Sequence, residues 1–375
     1  MMTAAADVIV VGAGIIGAAC ALEFAKAKLR VTVVDHEFPG AGATGASMGH
    51  IVVTDDSEAQ FALTRYSQVL WNQFREELPA AVEFERCGTI WVAADEEEFG
   101  EVQRKQRYYG KRNVPAEVLD SQMIGDAEPV LRKPLAGGLY VAEDSVIYPP
   151  AAALFFLERA VALGATLQFG KAVSVMGGGS VRLSDGTLLK AKYLLNAAGQ
   201  FAARLTPGIP VKPRKGHLVI TDRYSGLVRH QLVELGYLKT AHSITSDSVA
   251  FNVQPRQTGQ ILIGSSRQYG VEHGQVEPAI VSAMMKRALE YLPELANVSC
   301  IRVWTGFRPA TPDALPLIGP WPEDTSVYVA TGHEGLGITT SLATAKLVRA
   351  QMVGEPTKIA HEPYLPTRSM LEAHA

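Results

Sequence analysis

Gly12-Ala13-Gly14-Ile15-Ile16-Gly17 follows directly on Asp7–Val11, a continuous apolar run rich in β-branched residues. Such a run suits a strand buried on both faces of a parallel sheet. After a strand, the first two glycines permit a tight turn and close approach of backbone to a pyrophosphate, and the third lets the following helix pack on the sheet. Residues 15–28 are rich in Ala, Leu, Phe and Lys and contain no Pro, so they read as that helix. Residues 30–35 then return as a second buried strand, and Asp35 ends it 18 residues beyond Gly17. A carboxylate at that place accepts hydrogen bonds from ribose hydroxyls and disfavours a 2′-phosphate. A glycine turn without ligand is the competing reading, and the strand, helix, strand and terminal acid together argue against it.

Further along, residues 37–49 are dense in Gly, Ala and Ser, a loop that lets backbone approach a ligand closely. Helices are predicted over 57–78, 95–109, 150–164 and 336–352, and strands over 87–92, 165–169, 193–196 and 327–330. Gly177–Gly179 and Asp185-Gly186 punctuate a small β-meander. Residues 218–220, 250–253 and 261–264 read as strands of an antiparallel sheet in a second lobe. An NAD enzyme usually sets a separate catalytic domain after one compact nucleotide fold. Here the nucleotide-domain strands fall at the N-terminus, near residue 195 and near residue 328, with the second lobe inserted between them, which favours FAD. The expected fold is α/β: a Rossmann-like FAD-binding domain (1–85, 145–215 and 311–375) with an inserted α+β substrate-binding domain (86–144 and 216–310) built on an antiparallel sheet.

With 375 residues, 47% hydrophobic and 19% charged, the chain has ample material for a large core. Its net charge of −3 and lack of a Lys/Arg block argue against nucleic acid or an acidic bilayer as partner. Cys20, Cys87 and Cys300 are odd in number and widely spaced, which suits reduced packing residues better than disulfides or a zinc site. No metal is expected. The first residues lack a basic leader pattern, and no apolar stretch approaches about 20 residues. The expected location is the cytoplasm, with peripheral attachment at the inner membrane through partners as an alternative.

The motifs Gly12–Gly17 with Asp35, Gly42–Gly49, Asn196–Gly199, Pro213–His217, Trp304–Asp313, Pro316–Gly319 and Gly332-His333 onward cover nearly the whole chain. In them the sequence resembles the D-amino-acid oxidase (glycine oxidase, sarcosine oxidase) family of FAD-dependent oxidoreductases. Within that family it is most similar to bacterial D-hydroxyproline dehydrogenases and the related proline and opine dehydrogenase subunits. The resemblance implies that Gly12, Ala13, Gly14, Ile15, Ile16, Gly17, Asp35, His36, Thr44, Gly45, Ala46, Ser47, Met48, Val173, Ala198 and Gly199 bind FAD. It also implies that Gly335, Leu336, Gly337, Ile338 and Thr339 lie against the pyrimidine end of the flavin. Backbone N–H groups at a helix start there would stabilise negative charge on the reduced ring.

The family places an arginine of the Arg308 motif on the substrate carboxylate, and a guanidinium fork matches that group. The alternative for Arg308 is a structural ion pair with Asp313. His333 meets the flavin edge, shapes the substrate pocket, or is a buried satisfied histidine. Met48 is an apolar wall and His50 a polar contact on the substrate side, ordinary packing being the alternative for both. Glu334 either meets the substrate's cationic amine or faces solvent, the second being favoured. Tyr237, Phe251 and Asn252 fall near the family's substrate-lid residues, and no role is assigned to them. No cysteine lies near Arg308 or Asp313, where sarcosine oxidases link FAD covalently, so the cofactor is expected to be noncovalent.

The implied reaction is hydride transfer from the α-carbon of a small amino or cyclic imino acid to flavin N5, giving an imine. The best-matching substrate is of the D-hydroxyproline or D-proline type. Electrons then pass to a quinone, to a partner subunit or to O2. Alternatives are an O2-using glycine or D-amino-acid oxidase, and an FAD-bearing subunit inactive alone, in a homo- or hetero-oligomer.

Overall fold

A computed structural model describes residues 6–236 and 247–368. The first sheet is laid down by the predicted unit. Strand β1 (Ala6–Val11) runs parallel to β2 (Val31–Val34) on one side and to Leu188–Asn196 on the other, with Ile9 opposite Thr32 and Leu194. Val8, Ile9 and Val10 are fully buried, as a strand flanked on both faces requires. The order across this sheet is Leu317–Trp321, Asp324–Thr331, Leu188–Asn196, β1, β2, Thr166–Gln168. A meander of Val173–Gly177 and Ser180–Leu183 joins it at Leu188–Asn196.

Helix α1 (Ile15–Lys26) is built largely of alanine and small residues, so it seats closely between its neighbours. Ala18, Ala21 and Phe24 share one core with Phe156 and Leu157 of helix Pro149–Ala162 and with Ala345 and Leu347 of helix Gly337–Val353.

The second sheet has eight strands in the order Cys300–Ala310, Lys212–Thr221, Ile261–Arg267, Ser248–Pro255, Gln231–Glu234, Thr89–Ala93, Gly137–Val141, Ala116–Asp120. It is antiparallel, as expected, except where Gln231–Glu234 lies parallel to Thr89–Ala93. One face packs on helix Pro278–Tyr291, burying Met284, Ala288 and Tyr291 against Phe251 and Ile263. The other face looks onto the first sheet's ligand-binding end.

Several element ends differ from the sequence expectation for local reasons. The helix expected over 57–78 is Glu58–Phe74, because Ser57 caps it by accepting from the Gln60 N–H at 3.1 Å and the chain tightens into a short turn at Arg75–Glu77 before Pro79. Asp95 likewise caps the helix Glu96–Gly110, accepting from the Glu98 N–H at 2.9 Å. Helix Pro278–Tyr291 escaped the sequence reading, although Pro278 at its first position is a start signal.

Candidate active site

The glycine turn shapes one wall of a cavity of about 910 Å3 that lies between the two sheets. Gly12 has φ +113°, and a Cβ there would stand 2.3 Å from the Ala197 carbonyl oxygen. At Gly17 a Cβ would stand 1.9 Å from the Gly12 oxygen, so this position takes no side chain if helix and sheet are to pack. Asp35 accepts from the Ala13 N–H at 2.6 Å and the Glu37 N–H at 3.0 Å, and its Oδ1 lies 3.0 Å from His36 Nδ1. A carboxylate has about four acceptor positions, so these three contacts hold the turn and leave room for a ribose hydroxyl. Thr44 Oγ1 accepts from the Ile15 N–H at 3.0 Å and ties the small-residue loop to the helix start.

The opposite wall is the free face of the second sheet. Arg214 stands directly across from Arg308, Gly216 from Gly306 and Leu218 from Trp304, so these six share one face. A Cβ on Gly306 would lie 2.4 Å from that of Ala46, and the Trp304 indole donates to the Ala46 carbonyl at 3.3 Å. The small-residue loop therefore docks on this strand. A Cβ on Gly216 would lie 2.4 Å from Arg308 Nη1 and 2.8 Å from both Cζ and Nη2. The guanidinium fills the space that a side chain at 216 would need.

Arg308 Nη1 donates to the Ser266 carbonyl at 3.0 Å. Burial, reinforced by the charge of Arg214 and opposed by Tyr269, lowers its pKa to about 10. Burial and the charges of Arg214 and Arg308 lower Arg267, also in the cavity wall, to about 9. Both remain cations at neutral pH. Two arginines directly opposite repel each other, and sequence tolerates such a local conflict where an anion is to be bound. Arg214 is held by Glu334 and Tyr269.

At the end of the cavity nearer the first sheet, Gly335, Leu336, Gly337 and Ile338 line the wall where the last helix begins. The first N–H groups of a helix have no partner within it and face negative charge favourably. His50 Nε2 lies 3.0 Å from the Gly335 carbonyl. A carbonyl only accepts, so Nε2 carries the proton. Burial lowers the His50 pKa to about 4, which leaves Nδ1 an unprotonated acceptor at neutral pH. That Nδ1 is buried and has no hydrogen-bond partner among the described residues.

A glycine turn, two helix starts and a cavity within the usual range of cofactor pockets fit FAD in size and charge. Residues 7–351 match the FAD dependent oxidoreductase family (DAO). The chain belongs to that family. FAD is its cofactor and the protein is an oxidoreductase.

The oxidoreductase is similar to hydrogen cyanide synthase subunit HcnC of Pseudomonas aeruginosa, 29% identical over 98% of this chain and 97% of that one. It is 27% identical to glycine oxidase of Geobacillus kaustophilus, again over 98% of each chain. The crystal structure of the Geobacillus enzyme superposes with a TM-score of 0.87, covering 98% of this chain and 99% of the other at 26% identity.

Most of the residues singled out from the sequence line the oxidoreductase's cavity: Gly12, Gly14, Ile15, Ile16, Asp35, His36, Thr44, Ala46, Ser47, Met48, His50, Val173, Ala198, Gly199, Arg308 and His333. Ala13, Gly17, Gly45 and Thr339 do not. Thr339 accepts from the Val52 N–H at 3.2 Å and donates to the His50 carbonyl at 3.0 Å, so its side chain fastens the His50 segment to the helix. Burial brings His333 down to about 3, and its Nε2 pairs with Thr344 Oγ1 at 2.9 Å while the residue lines the cavity.

One expectation is corrected: Glu334 turns inward to Arg214 and does not face solvent. The ion pair weighed as the alternative for Arg308 is not made, since Asp313 pairs with Arg368 at 2.6 and 2.8 Å. Phe251 points away from the cavity and stacks on Tyr291, with ring centroids 4.5 Å apart, whereas Asn252, the next residue, lines the wall. Tyr237 lies outside the described residues. Arg214 and Gly216 belong to the Pro213–His217 motif, but their place opposite Arg308 and Gly306 depends on the register of two strands about 90 residues apart, and Arg267, on a third strand, carries no local sequence signal. None of the three cysteines lines the cavity. Among the described residues no cluster suits a metal ion and no helix is long and apolar enough to cross a membrane.

Gly216 offers a way to displace Arg308 without deleting it. Gly216→Ala should raise KM at least tenfold while FAD content stays at the wild-type level. Wild-type KM in this variant would show that the guanidinium position at Gly216 is not used.

Proposed function

We propose that the protein oxidises the C–N bond of a small amino or cyclic imino acid, of which the D-proline and D-hydroxyproline type is the best match. The observation that carries this reading is Arg308: a part-buried cation on the cavity face of the second sheet, seated against Gly216, with the glycine turn in the first sheet on the facing wall. A guanidinium so placed binds a carboxylate through two N–H groups and fixes the orientation of the α-carbon. FAD, when bound, supplies the acceptor for the hydride of the α C–H bond.

The pyrophosphate is assigned to the start of α1, the ribose to Asp35, and the pyrimidine end of the ring to Gly335–Thr339. His50 Nδ1 accepts a hydrogen bond from the substrate amine and orients it, while the cations Arg308 and Arg267 in the same cavity disfavour its ammonium form, so that the neutral amine donates electrons as the α C–H bond breaks. Met48, buried and in contact with Leu218 and Leu262, keeps one side of the site apolar and dry. FAD is held noncovalently.

A subunit reading is favoured by one observation, the 29% identity with HcnC, which is itself named as a subunit. Anaerobic addition of D-proline, cis-4-hydroxy-D-proline, glycine and sarcosine to the purified holoprotein tests both. Bleaching of the flavin by a cyclic imino acid is the expected result, with dye reduction exceeding peroxide formation on readmitting air. Bleaching by glycine with stoichiometric peroxide would replace this by a glycine oxidase, and no bleaching without added partner proteins would replace it by the subunit reading.

A further inference from the structure

We infer that the far end of the substrate cavity is a specificity pocket for a neutral hydrogen-bonding group, a hydroxyl or a carboxamide, carried by the substrate beyond its amine and carboxylate. This rests on the amino-acid oxidation proposed above and adds what the substrate's remaining atoms must be.

The second sheet places Trp91, Val233 and Asn252 in one row across three adjacent strands, each directly opposite the next, with Gln231 two residues from Val233 on the same face. All four line the cavity, as does Thr54. The Trp91 indole N–H, Gln231 Oε1, Asn252 Oδ1 and Thr54 Oγ1 are buried and without a hydrogen-bond partner among the described residues. Trp91, Gln231 and Thr54 are only 7%, 3% and 9% exposed. Buried polar atoms are nearly always satisfied, and each one left unpaired costs free energy. Four of them converging on one cavity wall describe a receptor for a group that both donates and accepts.

The charges in this region specify that the group is neutral. Lys105 is buried, lies 4.8 Å from the Trp91 ring and is paired with Asp55, which also meets Arg104, while Asp56 lines the cavity beside them and is exposed to water, so no uncompensated buried charge stands beside the row. Arg308 is on the first strand of the sheet, while Asn252, Gln231 and Trp91 are on the fourth, fifth and sixth. Strands are spaced about 4.8 Å apart, so the long Arg308 side chain reaches toward Asn252 and leaves between them the length of a small amino acid. The indole N–H meets a substrate oxygen, and the two carboxamide oxygens accept from a substrate O–H or N–H. Glycine would reach none of these atoms.

Matched pairs of substrates test this with the holoprotein as purified, the readout being the anaerobic rate constant for flavin reduction at low substrate. D-proline is compared with cis-4-hydroxy-D-proline, and D-norvaline with D-glutamine, with D-glutamate and D-ornithine as charged members. The same pairs in the L series cover the other chirality. The neutral polar member is expected to be faster than its apolar counterpart by about tenfold to a hundredfold for each hydrogen bond gained. The preference should fall at least tenfold in Asn252→Leu and in Gln231→Met, with FAD content unchanged. Equal rates within both pairs, or a faster charged member, would overturn the pocket and leave the oxidation reading standing. Reduction by no amino acid would overturn both. Loss of FAD in both variants without change in the wild-type preference would assign these residues to the cofactor instead.

Discussion

Arg308→Ala is expected to raise KM by about 30-fold to 4,000-fold, the equivalent of the roughly 2–5 kcal/mol lost when one partner of a desolvated, hydrogen-bonded charge pair is removed. FAD content should remain at the wild-type level, because Arg308 lies on the second sheet and the glycine turn on the first. The remaining contacts of the substrate with the cavity wall persist, so binding is weakened and misaligned but not abolished. Arg308→Lys should recover little, since an ammonium is a point charge and lacks the planar fork. Steady-state kinetics with a flavin count per chain measures all of this. Ordinary KM in Arg308→Ala would remove the residue from substrate binding and with it the principal support for an amino-acid substrate.

Gly12→Val is expected to abolish FAD binding and to lower stability as well. The position has φ +113°, and its Cβ would meet the Ala197 oxygen at 2.3 Å and carbon at 2.7 Å, both backbone atoms. Those atoms belong to the segment that follows Leu188–Asn196, which is paired in parallel with β1, so they yield only if the sheet is disturbed. Backbone strain of about 1–3 kcal/mol adds to overpacking of about 1–3 kcal/mol, and the pyrophosphate loses its close approach. The purified variant should be colourless, and thermal unfolding should shift down by several degrees. Gly110→Ala, where a Cβ meets nothing within 4 Å, is the control and should bind FAD normally. A yellow, stoichiometric Gly12→Val would mean that the turn does not hold the cofactor.

What the sequence disclosed and what it withheld divide along the range of the interactions. The strand, turn, helix and strand from Asp7 to Asp35 are local, and their β-branched run, glycine spacing and terminal acid carried the nucleotide site without help from elsewhere. The last helix was equally legible, its expected span of 336–352 standing against the observed Gly337–Val353. The partner of Asp313 was not, because Arg368 lies 55 residues away and reaches it only through the fold. Phe251 and Asn252 show the same limit at closer quarters: adjacent residues of a strand point to opposite faces, and their roles depend on a register that the sequence does not print. Glu334 reads from sequence as a surface group because a lone carboxylate usually is one, and only the facing arginine strand reveals its partner. Arg308 was found by its motif, yet the room it occupies is made by Gly216, on a different strand.

The nucleotide sheet draws its central strands from residues 6–11, 188–196 and 324–331, and the first helix packs against the last. During synthesis, then, the glycine turn leaves the ribosome long before its neighbours exist. The cradle for the dinucleotide closes only when residues beyond about 340 have emerged, so cofactor capture waits for the last helix, and a product truncated before it lacks one wall of the site.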